Sequence, residues 1–233
     1  MILAGTLVNG LAIVAGTLIG LAVGRAVAPL RDAIFQTLGL AVVVIGLKMA
    51  LAGDDVLGMT ASLAAGAAVG RWADLEGRLN RFSERLTARF GGGSRTAEGF
   101  LAATLLFGVG SMSILGALQS GLERDHHLLY LKALLDGFTS VLFAGTFGAG
   151  VALSAVPIVL YQGSIALAAG GITALVPQAS LTAAVDLIGA TGGVLIAAIG
   201  LNMTGLGRFR VAELLPAVAF AALWAGSGIH LAL

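Results

Sequence analysis

Apolar residues in this chain come in long runs, such as 1–24 and 100–118, separated by short polar stretches. Runs of about 18 or more apolar residues are long enough to cross a hydrocarbon core of roughly 30 Å as a helix. Eight spans are predicted, at approximately 3–24, 34–52, 56–71, 98–118, 130–151, 156–173, 183–203 and 211–231. The third is short and the fifth and sixth nearly touch, so seven is the rival count. The short alternating segments of a transmembrane barrel are absent. The pattern predicts an all-α fold, a polytopic bundle of transmembrane helices.

Residues 71–90 do not fit that pattern. Trp72, Leu75, Leu79, Phe82, Leu86 and Phe90 step by three or four, which is one helical face, and Arg78, Arg81, Arg85 and Arg89 lie off it. An arginine-rich amphipathic helix beside a membrane lies in the interface, as an anchor or as a docking surface for a partner. Gly91-Gly92-Gly93-Ser94 then reads as a flexible joint.

Charge placement orients the spans. With eight spans and an outside N-terminus, Arg25, Arg31, Arg71, Arg78, Arg81, Arg85, Arg89, Arg95, Arg208 and Arg210 all fall on the cytoplasmic side, ten of the 13 Lys and Arg. Lys48, Arg124 and Lys132 lie near the outer side. Fusing spans five and six would export Arg208 and Arg210, so eight spans with both termini outside is preferred. The first run has no Lys or Arg before it and therefore reads as a retained helix, not a signal peptide.

Composition agrees: 58% of the 233 residues are hydrophobic, 11% are charged, and mean hydropathy is +1.00. Soluble domains carry roughly 25% charged residues, so a soluble fold of this size would lack polar surface. With no cysteine, disulfides, thiolate metal sites and thiol nucleophiles are excluded. A net charge of +1 gives nucleic acid no purchase. Glycine is abundant at 35 residues. In membranes small residues let helix backbones approach closely. Gly16, Gly20 and Gly24 form such a stripe on span one, able to pack inside one chain or between the subunits of a homodimer.

An internal repeat is also legible. Ile45-Gly46-Leu47-Lys48-Met49 closes span two and Ile199-Gly200-Leu201-Asn202-Met203 closes span seven, at an offset of 154 residues. The same offset pairs Gly39 with Gly193, Leu40 with Val194 and Gly16 with Gly170, and brings Asn9 within one residue of Gln162. Spans one to three would then match six to eight in opposite senses, an inverted repeat of the kind that places a binding site near the midplane of secondary transporters. The chain divides accordingly into 1–70, 71–97, 98–155 and 156–233 within one transmembrane domain.

Polar residues inside spans are costly and usually face the bundle interior or a wet cavity. Lys132 and Asp136 are four apart on one face of span five, and Thr139 and Ser140 continue that face. They read equally as an internal ion pair or as a contact for a solute or ion. Asn9 approaches from the outer side, with Lys48, Gln119 and Ser120; Gln162 and Asn202 approach from the inner side. Lys48 has a plainer reading, snorkelling to headgroups. Asp186 reads as the cap of span seven. Gly108–Ser113, Gly145–Gly150, Tyr161–Ser164 and Ala190–Gly193 read as close-packing segments or as half-helix joints that free backbone groups for a solute, which adds Ser111 and Thr191 to the candidates. His126-His127 offers no third ligand nearby, so no metal site is expected. No nucleophile elbow, phosphate loop or HExxH motif occurs, and no catalytic pair or cofactor site is legible.

Several blocks together resemble a known family. They are Gly5-Thr6-Leu7-Val8-Asn9, Gly46-Leu47-Lys48-Met49-Ala50, Gly116-Ala117-Leu118-Gln119-Ser120-Gly121-Leu122, Lys132-Ala133-Leu134-Leu135-Asp136-Gly137, Ser154-Ala155-Val156-Pro157, Tyr161-Gln162-Gly163, and Ala190-Thr191-Gly192-Gly193 with Gly200-Leu201-Asn202-Met203. On these the chain resembles the DUF554 family of bacterial integral membrane proteins along essentially its whole length. The resemblance implies a multi-pass protein of the bacterial inner membrane, with transport as the role suggested, and supplies no catalytic residue. The resulting expectation is a small carrier or channel-like transporter with a polar site between the repeats, coupled to H+ or Na+ through Asp136. The rival is a non-transporting sensor or assembly module acting through the arginine-rich helix.

Overall fold

A computed structural model describes residues 1–26, 31–90 and 95–226. In chain order the helices are α1 (Ala4–Ala26), α2 (Arg31–Ala50), α3 (Val56–Trp72), α4 (Leu75–Phe90), α5 (Thr96–Gly108), α6 (Ser111–Leu122), α7 (His127–Phe147), α8 (Gly150–Leu153), α9 (Ala155–Leu175), α10 (Gln178–Thr204), α11 (Val211–Leu214) and α12 (Pro216–Gly226). No strand occurs among the described residues. The joint read at 91–94 lies outside them.

Five stretches are long and apolar enough to cross a bilayer: Ala4–Gly24, Asp32–Ala50, His127–Phe147, Gly150–Ala174 and Ala179–Thr204. The pair Thr96–Gly108 and Met112–Leu122, bent by 58°, makes a sixth if taken as one span. The 17 residues of α3 and the shorter Val211–Gly226 fall below that length. The third and eighth expected spans are thus helices, but short ones.

Two of the four expected glycine joints are real. The chain leaves helix at Val109-Gly110, between α5 and α6, and at Gly148, whose φ of 82° suits glycine. Tyr161–Ser164 and Ala190–Gly193 stay helical. Their glycines lie on packed surfaces instead of breaking the hydrogen-bond ladder. Asp186 is not a cap: α10 begins at Gln178 behind Pro177, so Asp186 sits exposed inside the helix. The helix starts earlier than hydropathy suggests because polar Gln178, Ser180 and Thr182 continue its first turns.

The chain packs as two compact units that cut across the sequence segments. One comprises Met1–Ile34 with Phe82–Leu175. In it α1 and α7 run parallel, backbone against backbone: a Cβ on Gly16 would strike the Gly137 carbonyl, one on Gly20 the Val141 carbonyl, and one on Gly24 the Gly145 backbone. The small-residue stripe is therefore occupied within the chain, by a partner helix with matching small residues. Across α1, α9 runs antiparallel, with Val159 over Gly10 and Gly163 beside Leu3 and Thr6. Next to α9, α6 runs parallel, with Gly121 against Ala166 and Ala169. Phe107, Phe143 and Phe147 close one end, with successive ring centroids 6.5 and 5.4 Å apart.

The other unit comprises Phe35–Arg81 with Val176–Leu233. Here α2 and α10 cross antiparallel, with Gly39 against Gly200 and Gly46 against Gly193. α3 and α12 do the same, with Gly58 at Trp224, Gly66 at Ala217 and Gly70 at Glu213. Asp55 caps α3 by accepting from Gly58 N at 2.7 Å, and its other oxygen accepts from Trp224 Nε1 at 3.0 Å. After Asp74, in the left-handed region at φ 49°, α4 begins. Its Glu76 carboxylate accepts the Ala212 backbone N–H at the start of α11. Burial, then nearby Glu213, pushes the Glu76 carboxyl above its ordinary 4.5, against the opposing pull of that hydrogen bond and of Arg210. Trp72, Arg78, Arg81 and Arg85 are exposed, as the amphipathic reading requires; the side chains of Phe82, Leu86, Arg89 and Phe90 lie outside the described residues.

Candidate functional site

The first unit contains a run of buried polar side chains drawn from four helices. Lys132 and Asp136 share the inward face of α7 with Leu129, Ala133, Ser140 and Phe143. The Lys132 ammonium stands 2.9 Å from both carboxylate oxygens, donating to Oδ1. Both residues are nearly sealed, at 7% and 5% exposure. The spacing of four that prompted the ion-pair reading thus does produce one.

Asn9, fully buried on α1, reaches two helices. Its amide lies beside the Asp136 carboxylate and donates to Gln162 Oε1 on α9 at 3.4 Å. Gln162 is also fully buried, and its Nε2 donates to Ser113 Oγ at 2.9 Å. Ser113 lies in the first turn of α6, just past the break at Gly110. The result is one polar run, Ser113, Gln162 and Asn9 joined by hydrogen bonds and the Lys132–Asp136 pair beside Asn9. Helix register explains the meeting. Leu129 packs against both Gly5 and Gly116, so one turn further along each helix Asn9, Lys132 and Ser113 share a level.

Several oxygens here have no hydrogen-bond partner among the described residues: Thr6 Oγ1, Asn9 Oδ1, Ser140 Oγ and Asp136 Oδ2, the last touched only by its ion pair with Lys132. Thr6, Asn9 and Ser140, the three outside that pair, are fully buried. Unsatisfied buried polar groups are uncommon and call for a physical reason. Ser113 and Thr6 were missed in sequence. Ser113 sits in a glycine-rich joint whose neighbour Ser111 looked equivalent, and only the start of α6 distinguishes them. Thr6 lies three residues before Asn9, the spacing that puts both on one face.

Other candidates lie elsewhere. The Ser111 side chain is outside the described residues. Gln119 is half-buried on α6, beyond Ser113 by about 9 Å of helix rise. Neighbouring Ser120 ties down the N-terminus: its hydroxyl donates to Ile2 O at 2.7 Å and contacts His126 Nδ1 at 2.7 Å. In the second unit, Lys48 is exposed in the last turn of α2, fitting the snorkelling reading. Thr191 is buried in α10 without a partner for Oγ1. Asn202 has a structural job: Nδ2 donates to Phe209 O at 2.7 Å and Oδ1 accepts from Phe209 N at 2.8 Å, closing the turn after α10.

Apolar helices with buried charge held between them define a multi-pass membrane protein. Its family follows from comparison: the chain belongs to the family described as "Protein of unknown function (DUF554)", which matches residues 4–225. It is 33% identical over 219 residues to "Uncharacterized membrane protein YdfK" of Bacillus subtilis (strain 168), covering 92% of each chain. It is 26% identical over 224 residues to "Uncharacterized protein YqgA" of Escherichia coli (strain K12), covering 93% of this chain and 94% of that one. No solved structure matches the chain.

Proposed function

We propose that this protein is a small-solute or ion transporter of the bacterial inner membrane, with its binding site on the buried polar run from Ser113 to Lys132. The observation that carries the reading is the hydrogen bond between Asn9 and Gln162, 153 residues apart and fully buried. These are the positions that the repeat offset nearly equates. A repeat is further supported at the glycines: it maps Gly39 to Gly193 and Gly46 to Gly200, and the contacts are Gly39–Gly200 and Gly46–Gly193, each the image of the other.

Helix directions favour eight crossings. Alternating crossings require α1, α3, α7 and α10 to run one way and α2, α5–α6, α9 and α12 the other. The parallel pairs α1/α7 and α6/α9, and the antiparallel pairs α1/α9, α2/α10 and α3/α12, all obey that alternation. The break at Gly110 adds a half-helix beside Gln162, a device that places exposed backbone groups at a transport site. Asn9 lies about 8 Å along α1 from Ala4 and Gln162 about 10 Å along α9 from Ala155, so under the outside-N-terminus orientation the polar layer is reached from opposite ends by the two antiparallel helices.

Reconstituted proteoliposomes would test this. Electrogenic or tracer flux across a panel of amino acids, carboxylates and monovalent cations is expected for wild type and lost in Gln162→Leu. Absence of any wild-type flux, or equal flux in Gln162→Leu, would remove the proposal.

The rival role, a sensor or assembly module, is favoured by one observation: exposed Arg78, Arg81 and Arg85 on α4, beside exposed Trp72. Removing residues 71–95 discriminates. Loss of the cellular phenotype with purified flux intact favours the module.

A further inference from the structure

The Asp136 carboxylate is the focus of an oxygen-rich pocket with more acceptors than donors. On its own helix Lys132 stands one turn before it and Ser140 one turn after; Asn9 meets it from α1. Asn9 Oδ1 and Ser140 Oγ accept nothing from any described residue, and both residues are fully buried. Resting on the carrier reading above, we propose that a sodium ion binds at Asp136 with Asn9 Oδ1 and Ser140 Oγ, and that the Lys132 ammonium is the built-in cation it displaces.

Four considerations select this ion. The donor set is oxygen only, which suits hard cations and not softer transition metals. A single carboxylate balances one positive charge, whereas sites for divalent ions gather several anionic ligands. A proton would use one carboxylate oxygen and leave the amide oxygen and hydroxyl idle; a metal ion uses all three. Finally, a cation already stands there: the ammonium 2.9 Å from both carboxylate oxygens marks the spot as favourable for positive charge. Stranding one member of a buried pair is strongly destabilising, so entry of Na+ has to be matched by a new counter-charge for the displaced ammonium. Occupancy is exclusive, since Lys132 and Na+ neutralise the same carboxylate. When Na+ enters, the displaced ammonium needs an anion in place of Asp136, and an anionic solute bound at the level of Asn9 and Ser113 would supply it.

The test is binding by purified full-length protein in detergent. NaCl is titrated against KCl and choline chloride at fixed pH and ionic strength, following Tm and calorimetric heat. Na+ is expected to raise Tm saturably, and K+ and choline are not. Lys132→Gln removes the competitor and should tighten the Na+ Kd about tenfold or more, a tenfold change being 1.4 kcal/mol. Ser140→Ala and Asn9→Ala should each weaken it about tenfold by the same scale, and Asp136→Asn should abolish it.

Wild type and Lys132→Gln that are both monodisperse and both indifferent to Na+ overturn the site. So does a response to pH alone, an equal response to K+, or a Na+ response that survives in Asp136→Asn. Should Asp136→Asn fail to fold, unchanged Na+ affinity in both Ser140→Ala and Asn9→Ala overturns it equally. The two readings fail separately. Na+ binding without solute flux sinks the carrier and keeps the site; solute flux indifferent to Na+ sinks the site and keeps the carrier.

Discussion

Asn9 donates to Gln162 Oε1 at 3.4 Å across 153 residues of sequence, and Gln162 passes the connection to Ser113. Replacing Gln162 by Leu keeps the volume and deletes both contacts, leaving the Ser113 hydroxyl and the Asn9 amide with less to bind. Leaving a buried partner unsatisfied costs about 1–3 kcal/mol. Gln162→Leu should therefore lower Tm by several degrees and abolish flux. A Gln162→Leu protein with wild-type Tm and flux would show that the chain of contacts is incidental.

Lys132 and Asp136 offer a second test, run in choline so that no sodium competes. Removing one member of a buried pair strands a charge and costs about 3–5 kcal/mol. Lys132→Met should be strongly destabilised, and the double variant Lys132→Met/Asp136→Leu should recover most of the lost Tm. Additive losses in the double variant would mean that each residue answers to other partners.

The α1/α7 seam makes a steric prediction. A side chain at Gly20 would drive into the Val141 carbonyl and Ala144. Overpacking costs about 1–3 kcal/mol, and more where backbone must move. Gly20→Val should lower Tm and leave the mass of the solubilised particle unchanged. If light scattering instead showed a changed subunit number at constant Tm, the stripe would be serving between chains.

Glu76 gives a pH signature outside the membrane. Its folded pKa lies above the ordinary 4.5, chiefly through burial. The folded state therefore holds the proton more tightly than the unfolded chain does. The stability this contributes is complete below about 4.5 and is lost as pH rises through the higher folded value. Glu76→Gln keeps an acceptor for Ala212 N–H and removes the titration. Its Tm should rise relative to wild type across that window and run parallel above it. Identical pH profiles for the two proteins would refute the assignment.

Much of this was legible in the sequence. Long apolar runs located the helices, because a hydrocarbon solvent leaves helix as the main way to satisfy the backbone. Spacing of four put Lys132 beside Asp136, and the offset of 154 pointed to Asn9 and Gln162. What resisted was information that only packing supplies. The glycines at Gly163 and Gly193 resemble those at Gly110 and Gly148, yet only the latter interrupt helices. Asn202 lies in a conspicuous motif but serves the turn at Phe209. Each unit combines early and late helices of the chain, since α1 joins α9 while α2 and α3 join α10 and α12, and no local pattern encodes that exchange. Asp186 was misread because hydropathy marks where apolar character begins, not where the backbone starts to coil.

Where Gly16, Gly20 and Gly24 meet Gly137, Val141 and Gly145, main chain touches main chain. Only the small side chains of Ser140 and Ala144 enter the seam beside Gly16 and Gly20, so the two helices have little side-chain cushion between them. That seam is one wall of the polar layer. Another wall includes α6, which starts after the break at Gly110, where an added Cβ would meet nothing within 4 Å. A side chain added at 110 is therefore expected to be tolerated, whereas one added at 16, 20 or 24 has to push two backbones apart.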